Sequence, residues 1–136
     1  MANRILVEII TPSRTVLSDY YNMVVVRSLD GEMGILADHI PLISSLAEWP
    51  VKLKKDDETE QFVSVSGGFM EMRDNKLTIL ATAAELPTEI DSQRAAEAKE
   101  RAEKRLESAD FDQDRASAAL RRALGRLKTI ELSSIR

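Results

Sequence analysis

Leu77-Thr78-Ile79-Leu80-Ala81-Thr82-Ala83-Ala84-Glu85-Leu86-Pro87-Thr88-Glu89-Ile90-Asp91-Ser92-Gln93-Arg94-Ala95 is where the periodicity of the chain changes. Leu77, Ile79 and Ala81 alternate with Thr78, Leu80 and Thr82, the period of two that a strand imposes on its side chains. Beyond Asp91 the composition turns to alanine, glutamate, lysine, arginine and leucine, all strong helix formers. All four prolines (Pro12, Pro41, Pro50, Pro87) and four of the five glycines lie before residue 88. A boundary at Leu86-Pro87 therefore divides the 136 residues into a strand-rich domain, 1–86, and a helical domain, 87–136.

Upstream, short runs of strand length recur. Arg4–Ile10 and Tyr21–Leu29 are rich in β-branched residues, Val51 and Leu53 alternate with lysines, and Val63 and Val65 alternate with serines. Turn signals at Thr11-Pro12-Ser13, Asp30-Gly31, Asp56-Asp57-Glu58 and Asp74-Asn75 separate them. Strands at this spacing predict an antiparallel sandwich or barrel, and the missing strand–helix–strand alternation argues against a doubly wound nucleotide-binding fold.

Downstream, Ala95, Ala98, Ala102, Leu106 and Ala109 make one narrow helical stripe. Ala116, Leu120, Ala123, Leu127 and Ile130 make a second, and Asp110 or Asp112 is able to cap the helix that carries it. Two such helices with a short joint predict an antiparallel hairpin. Its alanine seam buries little area, so the hairpin is expected to be marginal on its own. Gly125 interrupts the second helix at a cost of about 1 kcal/mol relative to alanine, either for close packing or as a bend point.

Composition narrows the chemistry. The chain has no cysteine and a single histidine, His39, so disulfides, thiol catalysis and multi-histidine metal sites are excluded. No apolar run approaches the roughly 20 residues of a spanning helix, and the N-terminus lacks the apolar stretch of a signal peptide. The net charge of −4 argues against general nucleic-acid binding, but it is uneven: −6 over residues 1–90, −1 over 91–111 and +3 over 112–136. His39, before Ile40-Pro41, reads as a hydrogen-bonded structural histidine, with Gly31 and Gly34 serving a turn and a bulge. Ser66-Gly67-Gly68-Phe69 reads as a bulge or sharp bend rather than an oxyanion site.

Asp91 is a good N-cap for the first helix, but Arg94 in the first turn opposes the helix dipole by a few tenths of a kcal/mol. Arg94, Arg101 and Arg105 repeat the spacing of Arg115, Arg122 and Arg126. This is either a solvated charged face or an anion site, in which a folded hairpin joins Arg94, Arg122 and Arg126 around phosphate oxygens.

Gly31-Glu32-Met33-Gly34-Ile35-Leu36 followed by His39-Ile40-Pro41, then Ser66-Gly67-Gly68-Phe69-Met70-Glu71, and Ala98-Lys99-Glu100-Arg101-Ala102-Glu103-Lys104-Arg105-Leu106, taken in order, resemble the epsilon subunits of bacterial F-type ATP synthases over essentially the whole chain. Ala37-Asp38 departs from the glycine or asparagine common beside the family's histidine, which alters a turn. The resemblance implies an α+β protein: an N-terminal ten-stranded antiparallel β-sandwich followed by a C-terminal antiparallel α-helical hairpin. It implies a non-catalytic subunit that docks on the gamma subunit and the c-ring, peripheral to the cytoplasmic side of a bacterial plasma membrane. It also implies an inhibitor of ATP hydrolysis, whose hairpin extends so that Arg115, Arg121, Arg122 and Arg126 reach acidic loops of the alpha and beta catalytic subunits.

In the Bacillus-like branch the hairpin binds ATP through an Ile/Leu-Asp-x-x-Arg-Ala motif, which stands here as Ile90-Asp91-Ser92-Gln93-Arg94-Ala95. The branch's other contacts match Glu85, Arg101, Arg122 and Arg126. The resemblance thus implies ATP as a regulatory ligand, alone or with Mg2+, and no catalytic or metal-ligating residue. Two readings of other classes stand beside it. One is a β-sandwich enzyme using His39; the other is a nucleic-acid module using the basic C-terminal stripe, although aromatics at 4 % disfavour single-strand stacking.

Overall fold

The computed structural model describes residues 3–134; the outer ends of the two expected domains, 1–2 and 135–136, lie outside the described residues. Eight strands come first: β1 (Ile5–Ile10), β2 (Thr15–Tyr21), β3 (Met23–Ser28), β4 (Gly31–Leu36), β5 (Leu42–Lys54), β6 (Glu60–Arg73), β7 (Lys76–Ala81) and β8 (Ala84–Glu85). A single 3-10 turn, Pro87–Glu89, leads into α1 (Ser92–Leu106) and α2 (Gln113–Ser134). The strands form one sheet in the order β2-β1-β7-β6-β5-β3-β4, with β8 paired to β6.

Among the described residues the strands number eight rather than the expected ten. β5 and β6 are 13 and 14 residues long, more than twice the usual strand, and each serves two stretches of sheet. In β6 the inward side chains are Val63 and Val65 at first, then Met70 and Met72, so the alternation inverts across Gly67-Gly68. In β5 it passes from Leu46 to Val51 and Leu53 in the same way. The bend read from Ser66-Gly67-Gly68-Phe69 is therefore real, but the strand runs on through it.

The sheet is also not wholly antiparallel, because β1 pairs β7 in parallel from Leu6↔Lys76 to Ile10↔Leu80. Alternation reports which face a side chain takes and is silent on strand direction, so this pairing left no mark in the sequence. Nor is Tyr21–Leu29 one strand: Asn22 breaks it, its backbone N–H donating to the Lys54 carbonyl at 2.8 Å.

The sheet closes around one apolar core. Ile5, Val7 and Ile9 of β1, Val24 and Val26 of β3, Ile35 of β4, and Leu77 and Ile79 of β7 are all buried within it. Tyr21, at the end of edge strand β2, is 1 % exposed, and its hydroxyl donates to Gln61 of β6 at 2.6 Å. Burial pushes its ionisation up to about 12.

The helices lie outside this core. Phe62, Ser64 and Ser66 point away from the interior of β6 yet are buried, because α2 packs on β5 and β6. The buried residues of α1 are Ala95 and Ala102; those of α2 are Ala116, Ala123, Gly125 and Thr129. A seam of small residues lets the two helices approach closely but removes little apolar area from water. Ala109 of the expected first stripe falls beyond Leu106, where α1 ends.

Gly125 serves close packing and not a bend, since α2 runs through it unbroken. A Cβ there would sit 3.3 Å from the Glu48 carbonyl oxygen of β5. Gly125→Ala strengthens the helix by about 1 kcal/mol whether docked or free, but only the docked form must open a gap for the methyl group. The variant is expected to loosen α2 from the sandwich while leaving the sandwich's own unfolding transition in place. Limited proteolysis within α2, compared with the melting curve, checks this.

Candidate functional site

Local rules place the first side chains. Asp91 is the N-cap of α1, accepting from the Arg94 backbone N–H at 3.1 Å. Arg94 and Arg101 then stand two turns apart on one side of α1. Asp112 caps α2, accepting from Asp114 and Arg115 backbone N–H groups at 3.0 and 3.1 Å, so of the two aspartates it is this one that starts the second helix.

Between the helices and the sandwich lies a cavity of about 220 Å3, lined by Glu85, Glu89, Ile90, Asp91, Arg94, Ala95, Ala98, Arg101 and Arg126. It contains every residue expected at the ligand except Arg122. Arg122 lines an adjoining cleft of about 190 Å3 between α1 and α2, together with Ala98, Arg101, Ala102, Arg105, Ala119, Ala123 and Arg126. Ala98, Arg101 and Arg126 border both, so the two are parts of one groove. Each alone is small for a cofactor-sized ligand; together they enter the range of roughly 300–1,000 Å3 typical of such sites.

The groove is basic. Five arginines (Arg94, Arg101, Arg105, Arg122 and Arg126) face three carboxylates, and each of the three is engaged. Asp91 caps α1. Glu85 accepts from Arg126 Nε at 2.6 Å, a part-buried pair that ties α2 to the strand end before Pro87. Glu89 accepts from Arg14 Nη2 at 2.7 Å and from the Leu86 backbone N–H at 2.8 Å. The Arg14 guanidinium, foremost, and the Leu86 hydrogen bond hold the Glu89 carboxyl below its ordinary range.

Of the other expected arginines, Arg115 lines neither cavity, and Arg121 turns from the groove to the sandwich, its Nε 3.3 Å from Glu48 Oε2. The basic stripe of α2 is therefore partly neutralised by the sandwich: Arg121 and Arg126 each face one of its carboxylates, while Arg115 and Arg122 are exposed. That geometry disfavours a nucleic-acid surface.

His39 Nδ1 lies 2.8 Å from the Ile40 carbonyl oxygen and, because a carbonyl only accepts, carries the proton there. Among the described residues no hydroxyl or carboxylate is hydrogen-bonded to its ring, so the geometry does not assemble a hydrolytic centre around it. Gly31 has the positive φ expected at its turn, whereas Gly34 lies in regular β4. Among the described residues no cluster of three or more His, Asp or Glu side chains is placed to hold a metal ion. No helix there is long and apolar enough to cross a membrane.

Sequence reasoning missed Glu89, Arg14 and Glu48. Only Glu89 left a signal: three residues after Leu86 and following Pro87, it suits the first turn of a capped helical segment. Arg14 and Glu48 act across 75 and 73 residues of chain, which no local pattern reports.

Two family models cover the chain: the ATP synthase delta/epsilon chain β-sandwich domain over residues 4–87, and the delta/epsilon long α-helix domain over 88–131. The chain is 50 % identical over 121 residues to the ATP synthase epsilon chain of Shouchella clausii, spanning 89 % of this chain and 90 % of that one. It is 50 % identical over 124 residues to the epsilon chain of Halalkalibacterium halodurans, at 89 % and 92 % coverage. A chain in the cryo-EM structure of the Euglena gracilis mitochondrial ATP synthase (OSCP/F1/c-ring) shares the fold at a TM-score of 0.78 and 23 % identity, covering 96 % of this chain and 81 % of that one. Sandwich, hairpin and relatives agree: this chain belongs to the ATP synthase epsilon chains.

Proposed function

We propose that the chain is a nucleotide-biased switch, a non-catalytic stalk subunit that restrains ATP hydrolysis by its synthase through the hairpin of residues 87–136. The observation that carries this reading is the composition of the groove's walls. They come from α1, α2 and the turn after β8, together with Glu85 of β8 itself, so a ligand filling the groove binds only when the hairpin is folded on the 1–86 domain. Such a ligand stabilises the folded form by its differential affinity for it.

ATP is the ligand that suits the groove. Arg94, Arg122 and Arg126 present guanidinium forks to phosphate oxygens, with Arg101 between them. Glu85 and the backbone of Ile90–Ala95 lie beside the base, and Asp91 holds the first turn of α1 in place. Mg2+, where it accompanies ATP, is carried by the phosphates, since Mg2+ keeps most of its waters. ATP leaving the groove frees the hairpin to extend, and Arg115, Arg121, Arg122 and Arg126 then become available to acidic loops of the alpha and beta subunits. The sandwich meets the gamma subunit and the c-ring, peripheral to the cytoplasmic face of a bacterial plasma membrane. The assemblies that hold chains of this fold, a mitochondrial F1 with its c-ring and a mitochondrial central stalk with its c-ring, support the place beside the c-ring.

Titrating the purified full chain with ATP tests the reading. Saturable shifts are expected in the amide spectrum of α1 and α2, and in Trp49 fluorescence, with no phosphate release. An unchanged spectrum at millimolar ATP overturns it.

A further inference from the structure

The groove has a support that lies wholly outside it. Arg14 sits in the turn between β1 and β2, where its backbone N–H donates to Thr11 Oγ1 at 3.2 Å and its carbonyl accepts from Thr11 N–H at 2.8 Å. The turn thus fixes the base of the side chain. Its Nη2 donates to Glu89 Oε1 at 2.7 Å, and the same oxygen accepts from Leu86 N–H at 2.8 Å. One carboxylate oxygen therefore ties the sandwich turn to the 3-10 turn Pro87–Glu89, the connection that ends directly before Ile90 and Asp91. The Glu89 backbone N–H closes that turn on the Leu86 carbonyl at 2.9 Å.

We infer that Arg14 is a positioning residue for the anion groove, acting through Glu89, and this rests on the nucleotide-binding reading above. A ligand that bridges the hairpin and the strand end at Glu85 needs residues 86–91 in one geometry before it arrives, because ordering a free connection is subtracted from binding. Arg14 supplies that order from the sandwich, without touching the ligand. It also satisfies Glu89, which would otherwise face incoming phosphates as an unpaired negative charge at the groove's edge.

The test measures ATP affinity by titration for the full chain and for Arg14→Ala, Glu89→Ala and the double variant. Melting curves accompany each titration. The pair is 45 % exposed at its arginine and 35 % at its glutamate, so a modest effect is expected: roughly three- to fivefold weaker ATP binding in Arg14→Ala at unchanged melting of the sandwich. Because Arg14 acts through Glu89, its removal should cost nothing further in the Glu89→Ala background, and Arg14→Lys should recover part of the loss. Full affinity in Arg14→Ala overturns the inference, as does an equal loss in both backgrounds. Failure of the unaltered chain to bind ATP instead overturns the nucleotide reading itself, and this inference with it.

Discussion

Arg126→Ala is expected to weaken ATP binding by the purified chain roughly ten- to a hundredfold. Arg126, like Arg101, borders both parts of the groove, but it reaches there from α2, whereas Arg94 and Arg101 come from α1. A hydrogen bond to a charged group contributes about 1.5–3 kcal/mol, and each 1.4 kcal/mol is a factor of ten. Two further terms are smaller. Arg126 must loosen its grip on Glu85 to meet a phosphate, but that pair is part-exposed, which holds its worth to about 1 kcal/mol. The lost pair also loosens α2 from the strand end, which adds to the deficit rather than offsetting it. Arg126→Lys keeps the charge without the fork and should fall between the two. Isothermal titration with ATP reads all three, and unaltered affinity in Arg126→Ala would remove the residue from the site.

Gly68→Ala is expected to destabilise the sandwich by about 3–5 kcal/mol, a large share of the roughly 5–15 kcal/mol of an ordinary domain. Gly68 has φ +127°, a region closed to side chains, which alone costs about 1–3 kcal/mol. The added methyl would also stand 2.2 Å from the Leu80 carbonyl oxygen and 2.9 Å from the Ala81 Cα, both backbone atoms of β7 that cannot swing aside. Overpacking of that kind adds about 1–3 kcal/mol. Gly67→Ala is the internal control: its φ is +81°, but the nearest atom is Glu48 Oε1 at 4.0 Å, leaving only the backbone cost of about 1–2 kcal/mol. Urea unfolding should therefore rank the two variants well apart; equal midpoints would mean that β6 does not press on β7 here.

How far this was legible from sequence follows the distance over which each force acts. The Asp91 cap, the Asp112 cap and the bend at Gly67-Gly68 are local, set by residues within four positions, and their residue types announce them. The expected division at Leu86-Pro87 rests on a change of period that needs no tertiary information. Strand continuity is different. Two β-branched runs joined at Asn22 look like one strand, and a strand that inverts its faces looks like two, because alternation is read in windows shorter than β5 or β6. The arginines of the groove were marked by their helical spacing, which put Arg122 and Arg126 on one face. What each meets across the interface was not marked: Glu85 for Arg126 and Glu48 for Arg121 are 41 and 73 residues away in the chain. Electrostatic partners chosen by the fold leave no period to read.

ATP hydrolysis by the assembled synthase at low ATP is the most direct measure of the switch, comparing the full chain with one ending at Leu86. With residues 87–136 removed there is no hairpin to extend, so hydrolysis should rise at low ATP and match the full-length enzyme at ATP concentrations that fill the groove. Neutralising Arg115, Arg121, Arg122 and Arg126 together should raise it in the same way, since a basic arm without its charge loses its hold on acidic loops. If hydrolysis at low ATP is the same with and without the hairpin, the arm does not restrain this motor and the proposed switch is contradicted.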